Sequence, residues 1–251
     1  MSKISKLISG WAKSTIKTSI ALKKEGISNE LVRRYIQGNW IQKVGNEAYK
    51  LYGDEIDIFS ATQAMQVQMG KSFRIGGKSA LSQLGYSHYL SQNKVLVHLY
   101  GKYKENLPVW FVQYKWQDNY QCHNTSMFDV DLSSFLTEIN HNGLTVKISS
   151  PELAIFEMVY LIPADQGFQE AFLIIENLRT LRSEKIQALL ENCKSVKVKR
   201  LVLFMLEEND HEYFRPLDVS KVNLGSGKRM IVKGGKYNSK YQITIPADLH
   251  D

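Results

Sequence analysis

Lys17-Thr-Ser-Ile-Ala-Leu-Lys-Lys-Glu-Gly-Ile-Ser28, then Asn29-Glu-Leu-Val-Arg-Arg-Tyr-Ile-Gln-Gly38, then Trp40-Ile-Gln-Lys-Val-Gly-Asn-Glu-Ala-Tyr-Lys-Leu-Tyr52 is the stretch around which the chain is read. Thr18 or Ser19 can cap a short helix through Ile20, Ala21 and Leu22. Gly26 ends it, because glycine tolerates the left-handed backbone of a helix terminus. Ser28 caps a second helix, in which Leu31, Val32, Tyr35 and Ile36 share the core side. At 100° per residue the opposite face carries Glu30, Arg33, Arg34 and Gln37, three of these four being side chains suited to phosphates or base edges. Gly38 stops that helix. Ile41 to Val44 and Ala48 to Leu51 then read as two strands around a Gly45-Asn46 turn. Helix, turn, helix and hairpin in this order make a winged helix-turn-helix, with Lys43 on the wing.

The charge distribution supports the same reading. Residues 1–53 hold ten lysines and arginines against three glutamates, a net of +7. The whole chain is also +7, so residues 54–251 balance with 22 basic and 22 acidic side chains. Net positive charge is confined to the first fifth of the sequence, where a polyanion contact needs it. Ahead of this unit, Ile4, Leu7 and Ile8 fall at helical spacing behind Ser2, a first helix for a three-helix core.

With 251 residues, 43% hydrophobic and 23% charged, the chain is long enough for two domains and ordinary for a globular protein. Met1 to Trp11 lacks the apolar core of a signal peptide, and the longest apolar run, Leu201 to Leu206, falls far short of the roughly 20 residues that cross a bilayer. A soluble cytoplasmic protein without membrane association is expected. Cys122 and Cys193 form no C-x-x-C pair and are expected as free thiols.

Past a boundary near Gly53, Ile58, Ala61, Met65 and Met69 mark a helix over Asp54 to Gln68. Gly76-Gly77 opens a short helix over Lys78 to Leu84. Lys94 to Leu99, Val109 to Tyr114 and Thr145 to Ile148 read as strands, rich in β-branched and aromatic residues, with Pro108 at the start of the second. Ser150-Pro151 then starts a run of helices over Leu153 to Leu161, Phe168 to Leu178, Ser183 to Cys193 and Ser195 to Glu208. Met230 to Val232 and Tyr241 to Ile245 flank Gly234-Gly235 and Asn238 as a terminal β-hairpin. The expected fold class is α+β: a winged helix-turn-helix over 1–53, then a larger mixed α/β domain over 54–251 that ends in a β-hairpin.

Gly76-Gly77-Lys78-Ser79-Ala80-Leu81 with Leu84-Gly85-Tyr86-Ser-His88-Tyr89-Leu90, and Gly225-Ser-Gly-Lys-Arg229-Met-Ile-Val-Lys233-Gly-Gly-Lys236 with Lys240-Tyr-Gln-Ile-Thr-Ile-Pro246, resemble the AbiEi family over nearly the whole chain. These are bacterial type IV antitoxins and transcriptional repressors of abortive-infection systems. Order and spacing carry the likeness, since no single motif is a chemical signature. The resemblance implies an autorepressor whose winged domain binds inverted repeats in its own promoter, as a dimer on DNA. It also implies a C-terminal domain that neutralises a cognate nucleotidyltransferase-like toxin, functionally or by direct contact. No enzymatic activity is expected. DNA contacts are expected from Lys17, Thr18, Lys23, Lys24, Ser28, Asn29, Arg33, Arg34, Gln37 and Lys43, with Glu30 either accepting from a cytosine amino group or, more commonly for such a carboxylate, paired to Arg34 one turn on. An alternative makes direct protein-protein inhibition of the toxin through residues 54–251 the main activity.

Other chemistry is weakly signalled, and neither cofactor nor metal is expected. The Gly70-Lys71, Gly77-Lys78 and Gly227-Lys228 pairs tempt a phosphate-loop reading, but Met65, Ser72 and Val222 stand where its first glycine belongs. The six histidines show no metal-ligand spacing. Lys228, Arg229, Lys233, Lys236 and Lys240 in the terminal hairpin face no acidic residue nearby in sequence. They are a second expected contact, for the toxin, an RNA or a nucleotide, or else a solvated edge that deters aggregation.

Overall fold

The computed structural model describes residues 3–86 and 95–247. Ser2, Ser87 to Leu90 of the quoted motif, Lys94 and His250 lie outside them. The chain is a mixed α+β fold. Its first elements are α1 (Lys3–Ser9), β1 (Lys17–Thr18), α2 (Ser19–Lys24), α3 (Asn29–Gln37), β2 (Ile41–Gly45), β3 (Ala48–Leu51), α4 (Ile58–Met69) and β4 (Arg74–Ile75). Next come α5 (Gly77–Gln83), β5 (Leu96–Lys102), α6 (Val109–Gln113), β6 (Asn119–Thr125), β7 (Leu136–His141) and β8 (Leu144–Ser149). The helices α7 (Pro151–Tyr160), α8 (Phe168–Glu176), α9 (Ser183–Asn192) and α10 (Val196–Glu208) precede β9 (Arg229–Met230), β10 (Lys236–Asn238) and β11 (Ile243–Ile245). Contacts divide the chain into one compact unit of residues 1–75, 91–124 and 138–147, and another of 76–90, 125–137 and 148–251.

In the first unit, Leu7, Trp11, Leu22, Ile27, Val32, Tyr35 and Ile41 close a core among α1, α2, α3 and the start of β2. The spacing of these residues puts one apolar stripe on each short helix, and burial of the stripes against one another stabilises helices too short to persist alone. Strand β1 adds to the hairpin in the order β1-β3-β2, with Lys17 opposite Tyr49 and Thr18 opposite Ala48. Gln68 of α4 ties this sheet down: its Oε1 accepts from the Thr18 amide at 2.7 Å and its Nε2 donates to the Ile16 carbonyl at 2.6 Å. Asp57 and Ser60 cap α4 reciprocally, and Gly70 (φ +63) ends it in the left-handed region. Gly53, where the sequence places a boundary, is another left-handed residue (φ +72) just past β3. The compact unit runs on beyond it through α4 and into the five-stranded sheet β6-β5-β4-β8-β7.

Two expectations about local structure are corrected. Val109 to Tyr114 is no strand; Val109–Gln113 is α6. Trp110 and Phe111 are buried as neighbours while Val109 and Val112 are exposed, a pattern of period three that a strand cannot present. Pro108 starts this helix as readily as it would start a strand. The turn of the wing is Asn46-Glu47, with Glu47 in the left-handed region (φ +64), and Gly45 closes β2 opposite Ala48. Gly45 serves a different need, since a Cβ there would lie 2.8 Å from both Cα and Cβ of Trp110.

In the second unit α7 and α10 are buried nearly all round, and Leu201 to Leu206 fills its core. Ser150 stands at the N-cap of α7, but its hydroxyl donates to Glu152 Oε2 at 2.7 Å instead of accepting from the helix. Glu152 is wholly buried and accepts from the Arg182 amide and Nε at 3.1 and 3.0 Å. Burial pushes the Glu152 carboxyl up, but hydrogen bonds from Arg182 and Ser150 outweigh it and hold the group below the usual carboxylate range. Both cysteines are free, and burial first of all raises each thiol to about 11, leaving it protonated at neutral pH.

The terminal hairpin expected between Met230 to Val232 and Tyr241 to Ile245 is corrected, since different segments form it. Antiparallel pairing joins β10 to β11, while β9 runs parallel to β11, with Met230 opposite Thr244. Asn238 decides this, because its Oδ1 accepts from the Tyr241 amide at 2.9 Å and closes the chain reversal after β10. Gly235 lies ahead of β10, whose Lys236 faces Ile245, and not in the turn between β10 and β11; only glycine fits there, since a Cβ would fall 1.9 Å from the Ile245 carbonyl oxygen.

Candidate nucleic-acid interface

Helix α2 starts where Thr18 Oγ1 accepts from the Ala21 amide at 3.3 Å, and α3 where Ser28 Oγ accepts from the Leu31 amide at 3.3 Å. Each cap satisfies a backbone donor that the helix itself leaves unpaired. Gly26 (φ +75) makes the turn between the two helices. Val32 and Tyr35 anchor α3 in the core, which rotates Glu30, Arg33, Arg34 and Gln37 outward; all four are exposed, as are Ser28 and Asn29 at its start. The geometry thus assembles on one helix the residues that the sequence assigned to base contact.

Among the described residues, Lys23, Lys24, Arg33, Arg34 and Lys43 have no carboxylate partner. The expected Glu30 to Arg34 pair is not made, so both guanidinium groups of α3 stay available for bidentate bonds. Lys23 and Lys24 stand in the last turn of α2, where cations also suit the helix dipole. Lys43 is exposed on β2, at the side of the wing.

Three basic or polar positions are committed inward instead. Lys17 is half-buried, ion-paired with Glu25, and its ammonium lies 5.4 Å from the centre of the Trp11 ring. Thr18 is 2% exposed and occupied as a cap, so its hydroxyl serves the fold and is corrected from a contact to a positioning group. Lys50 is buried and donates to the Asp54 carbonyl. Trp40, which opens the third segment of the quoted stretch, is half-exposed between α3 and β2.

The second expected contact lies in the other unit. Lys228, Arg229, Lys233 and Lys236 are exposed, and among the described residues none makes an ion pair. Lys240 differs: it pairs with Glu207, whose other oxygen accepts from Tyr241 Oη at 2.8 Å. The Gly77-Lys78 pair is closed to phosphate, since the buried Glu157 carboxylate accepts from the Gly77 amide at 2.9 Å and Lys78 pairs with Glu170.

Family models match the chain in two consecutive parts. Residues 1–92 match "Transcriptional regulator, AbiEi antitoxin N-terminal domain", and residues 94–246 match "Transcriptional regulator, AbiEi antitoxin, Type IV TA system". The chain belongs to the AbiEi antitoxin family. Antitoxin and regulator are therefore the roles of this AbiEi chain in outline, with DNA and a toxin as its general partners. No curated protein matches it. Among solved structures, the crystal structure of RV2827C protein from Mycobacterium tuberculosis is similar at 12% identity, with a TM-score of 0.59 over 96% of this chain and 88% of that one. At that identity the likeness is one of fold. Among the described residues of the AbiEi chain, no helix is long and apolar enough to cross a membrane.

Proposed function

We propose that this AbiEi protein is a cytoplasmic autorepressor that reads inverted repeats in its own promoter through residues 1–53, two copies binding together. The observation that carries the proposal is the exposed face of α3, where the side chains of Arg33, Arg34 and Gln37 have no partner among the described residues. Arg33 and Arg34 reach guanine edges, Gln37 an adenine edge, and Lys23, Lys24 and Lys43 the flanking phosphates, with the first amides of α3 at Ser28 and Asn29 adding donors. Titrating the full chain by fluorescence anisotropy against its upstream DNA and a scrambled duplex, over a range of salt, tests the reading. Tight binding should favour the upstream DNA, and replacing Lys23, Lys24 or Lys43 by alanine should make the salt slope shallower by about 1 for each phosphate no longer neutralised. Equal affinity for both duplexes would reduce the surface to a general polyanion contact.

Residues 54–251 carry the antitoxin activity in this proposal, directed at a nucleotidyltransferase-like toxin. Type IV action without a stable complex predicts that the two proteins do not co-purify at micromolar concentration although the antitoxin restores growth. A stable complex would instead establish direct inhibition.

A further inference from the structure

The segment Asn223-Leu-Gly-Ser-Gly-Lys-Arg229 is a loop with its Leu224, Gly225 and Gly227 carbonyls turned inward. Arg200, 2% exposed on α10, donates Nε to the Leu224 carbonyl at 2.9 Å, Nη2 to Gly225 at 3.2 Å, and Nη1 to Gly227 at 2.7 Å and Gln242 at 3.3 Å. The one cis peptide among the described residues is Ile162-Pro163, so every peptide of this loop is trans, with its N–H opposed to its carbonyl. Drawing in the Gly225 and Gly227 carbonyls therefore turns the Ser226 and Lys228 amides away from Arg200, toward solvent. The Gly225 amide is taken by Asn223 Oδ1 at 2.9 Å. Among the described residues, the amides of Ser226, Gly227 and Lys228 meet no acceptor, and all three residues are exposed.

Gly225 (φ +61) and Gly227 (φ +78) are both left-handed, a backbone conformation that recurs where successive amides gather into an anion-binding concavity. Gly225 has no alternative, since a Cβ on it would also lie 2.9 Å from Val196 Cγ2. Two cations are held on the same loop. The Lys228 ammonium rests 4.9 Å from the centre of the Tyr237 ring, and Arg229 Nη1 donates to the Lys228 carbonyl at 3.2 Å. The buried Arg200 charge beneath them is met by carbonyl oxygens alone in its hydrogen bonds.

We propose that this loop binds the terminal phosphate of a nucleotide, its oxygens held by the Ser226 and Lys228 amides and by the Lys228 and Arg229 side chains. A phosphate monoester brings about two negative charges and three acceptor oxygens, which suits paired amides and paired cations better than a carboxylate does. The device is not a Walker loop, whose spacing Val222 and Arg229 break, and it uses no residue of the α3 surface. A free nucleoside triphosphate and the phosphorylated end of an RNA strand present the same chemistry.

The test uses the full chain at about 0.15 M salt with inorganic phosphate, ATP, a 5′-phosphorylated single-stranded RNA and its 5′-hydroxyl twin as probes. Inorganic phosphate should compete with whichever larger probe binds. If the source is an RNA end, the phosphorylated strand should bind at least about tenfold tighter than its twin. If it is a free nucleotide, ATP should bind and both strands should not. Lys228→Ala/Arg229→Ala should abolish the phosphate preference while leaving operator binding unchanged, and Gly227→Ala, which forces a Cβ into the left-handed region, should weaken it with the fold intact by circular dichroism. Equal binding of the two strands without ATP binding overturns the proposal. So does a phosphate preference that survives the double substitution.

Discussion

Arg33→Ala/Arg34→Ala should lose operator affinity by about thirtyfold or more, taking about 1–3 kcal/mol for each base-reading arginine. Both side chains are exposed and neither is part of the core, so the melting temperature should hardly move. That combination separates a reader from a scaffold residue. Lysine at either position keeps the charge but not the planar fork, so Arg33→Lys/Arg34→Lys should keep most non-specific binding and lose much of the discrimination between operator and scrambled DNA. Undiminished affinity in the alanine variant would remove α3 as the recognition helix, whatever the fate of the phosphate-binding loop.

Arg200→Met should destabilise the protein by about 3 kcal/mol or more. The substitution keeps much of the volume but leaves the Leu224, Gly225 and Gly227 carbonyls without their donor, while the Gln242 oxygen keeps the Arg229 amide at 2.9 Å, and each buried group left unpaired costs about 1–3 kcal/mol. Water can reach part of an exposed loop, which limits the total. Urea unfolding followed by circular dichroism should show a lower midpoint with an unchanged slope, and amide exchange should quicken first at residues 224–228. A midpoint equal to that of the unsubstituted chain would mean that the loop holds its shape without Arg200, and the inward turn of its carbonyls would need another cause. Arg200→Lys should recover only part of the loss, because one ammonium cannot span carbonyls that three guanidinium nitrogens now reach.

Legibility differed between the two ends of the chain. Near the N-terminus the signals are local: Thr18 and Ser28 cap their own helices, Gly26 supplies its own turn, and Leu22, Val32 and Tyr35 mark a face by spacing alone. The outward position of Arg33, Arg34 and Gln37 follows from that spacing, so the candidate interface could be read without coordinates. The same reading could not tell Thr18 as a buried cap from Thr18 as an exposed hydroxyl, nor see that Lys17 is spent on Glu25 and Trp11.

Sequence by itself determined the α+β class, the two short helices α2 and α3 with the hairpin after them, the helical run after Ser150 and the concentration of charge in residues 1–53, because each rests on neighbours within a turn or two of chain. Only the tertiary structure decided that Val109 to Gln113 is a helix, that β9 lies parallel to β11, that Glu157 closes the Gly77-Lys78 pair, and that Arg200 turns the 223–229 loop so that its amides face outward. The last three depend on a partner supplied from elsewhere in the fold, 80 positions away for Glu157 and Gly77. Periodicity and spacing report which face of a segment is apolar; they carry no record of which distant carboxylate or guanidinium will meet a given backbone group.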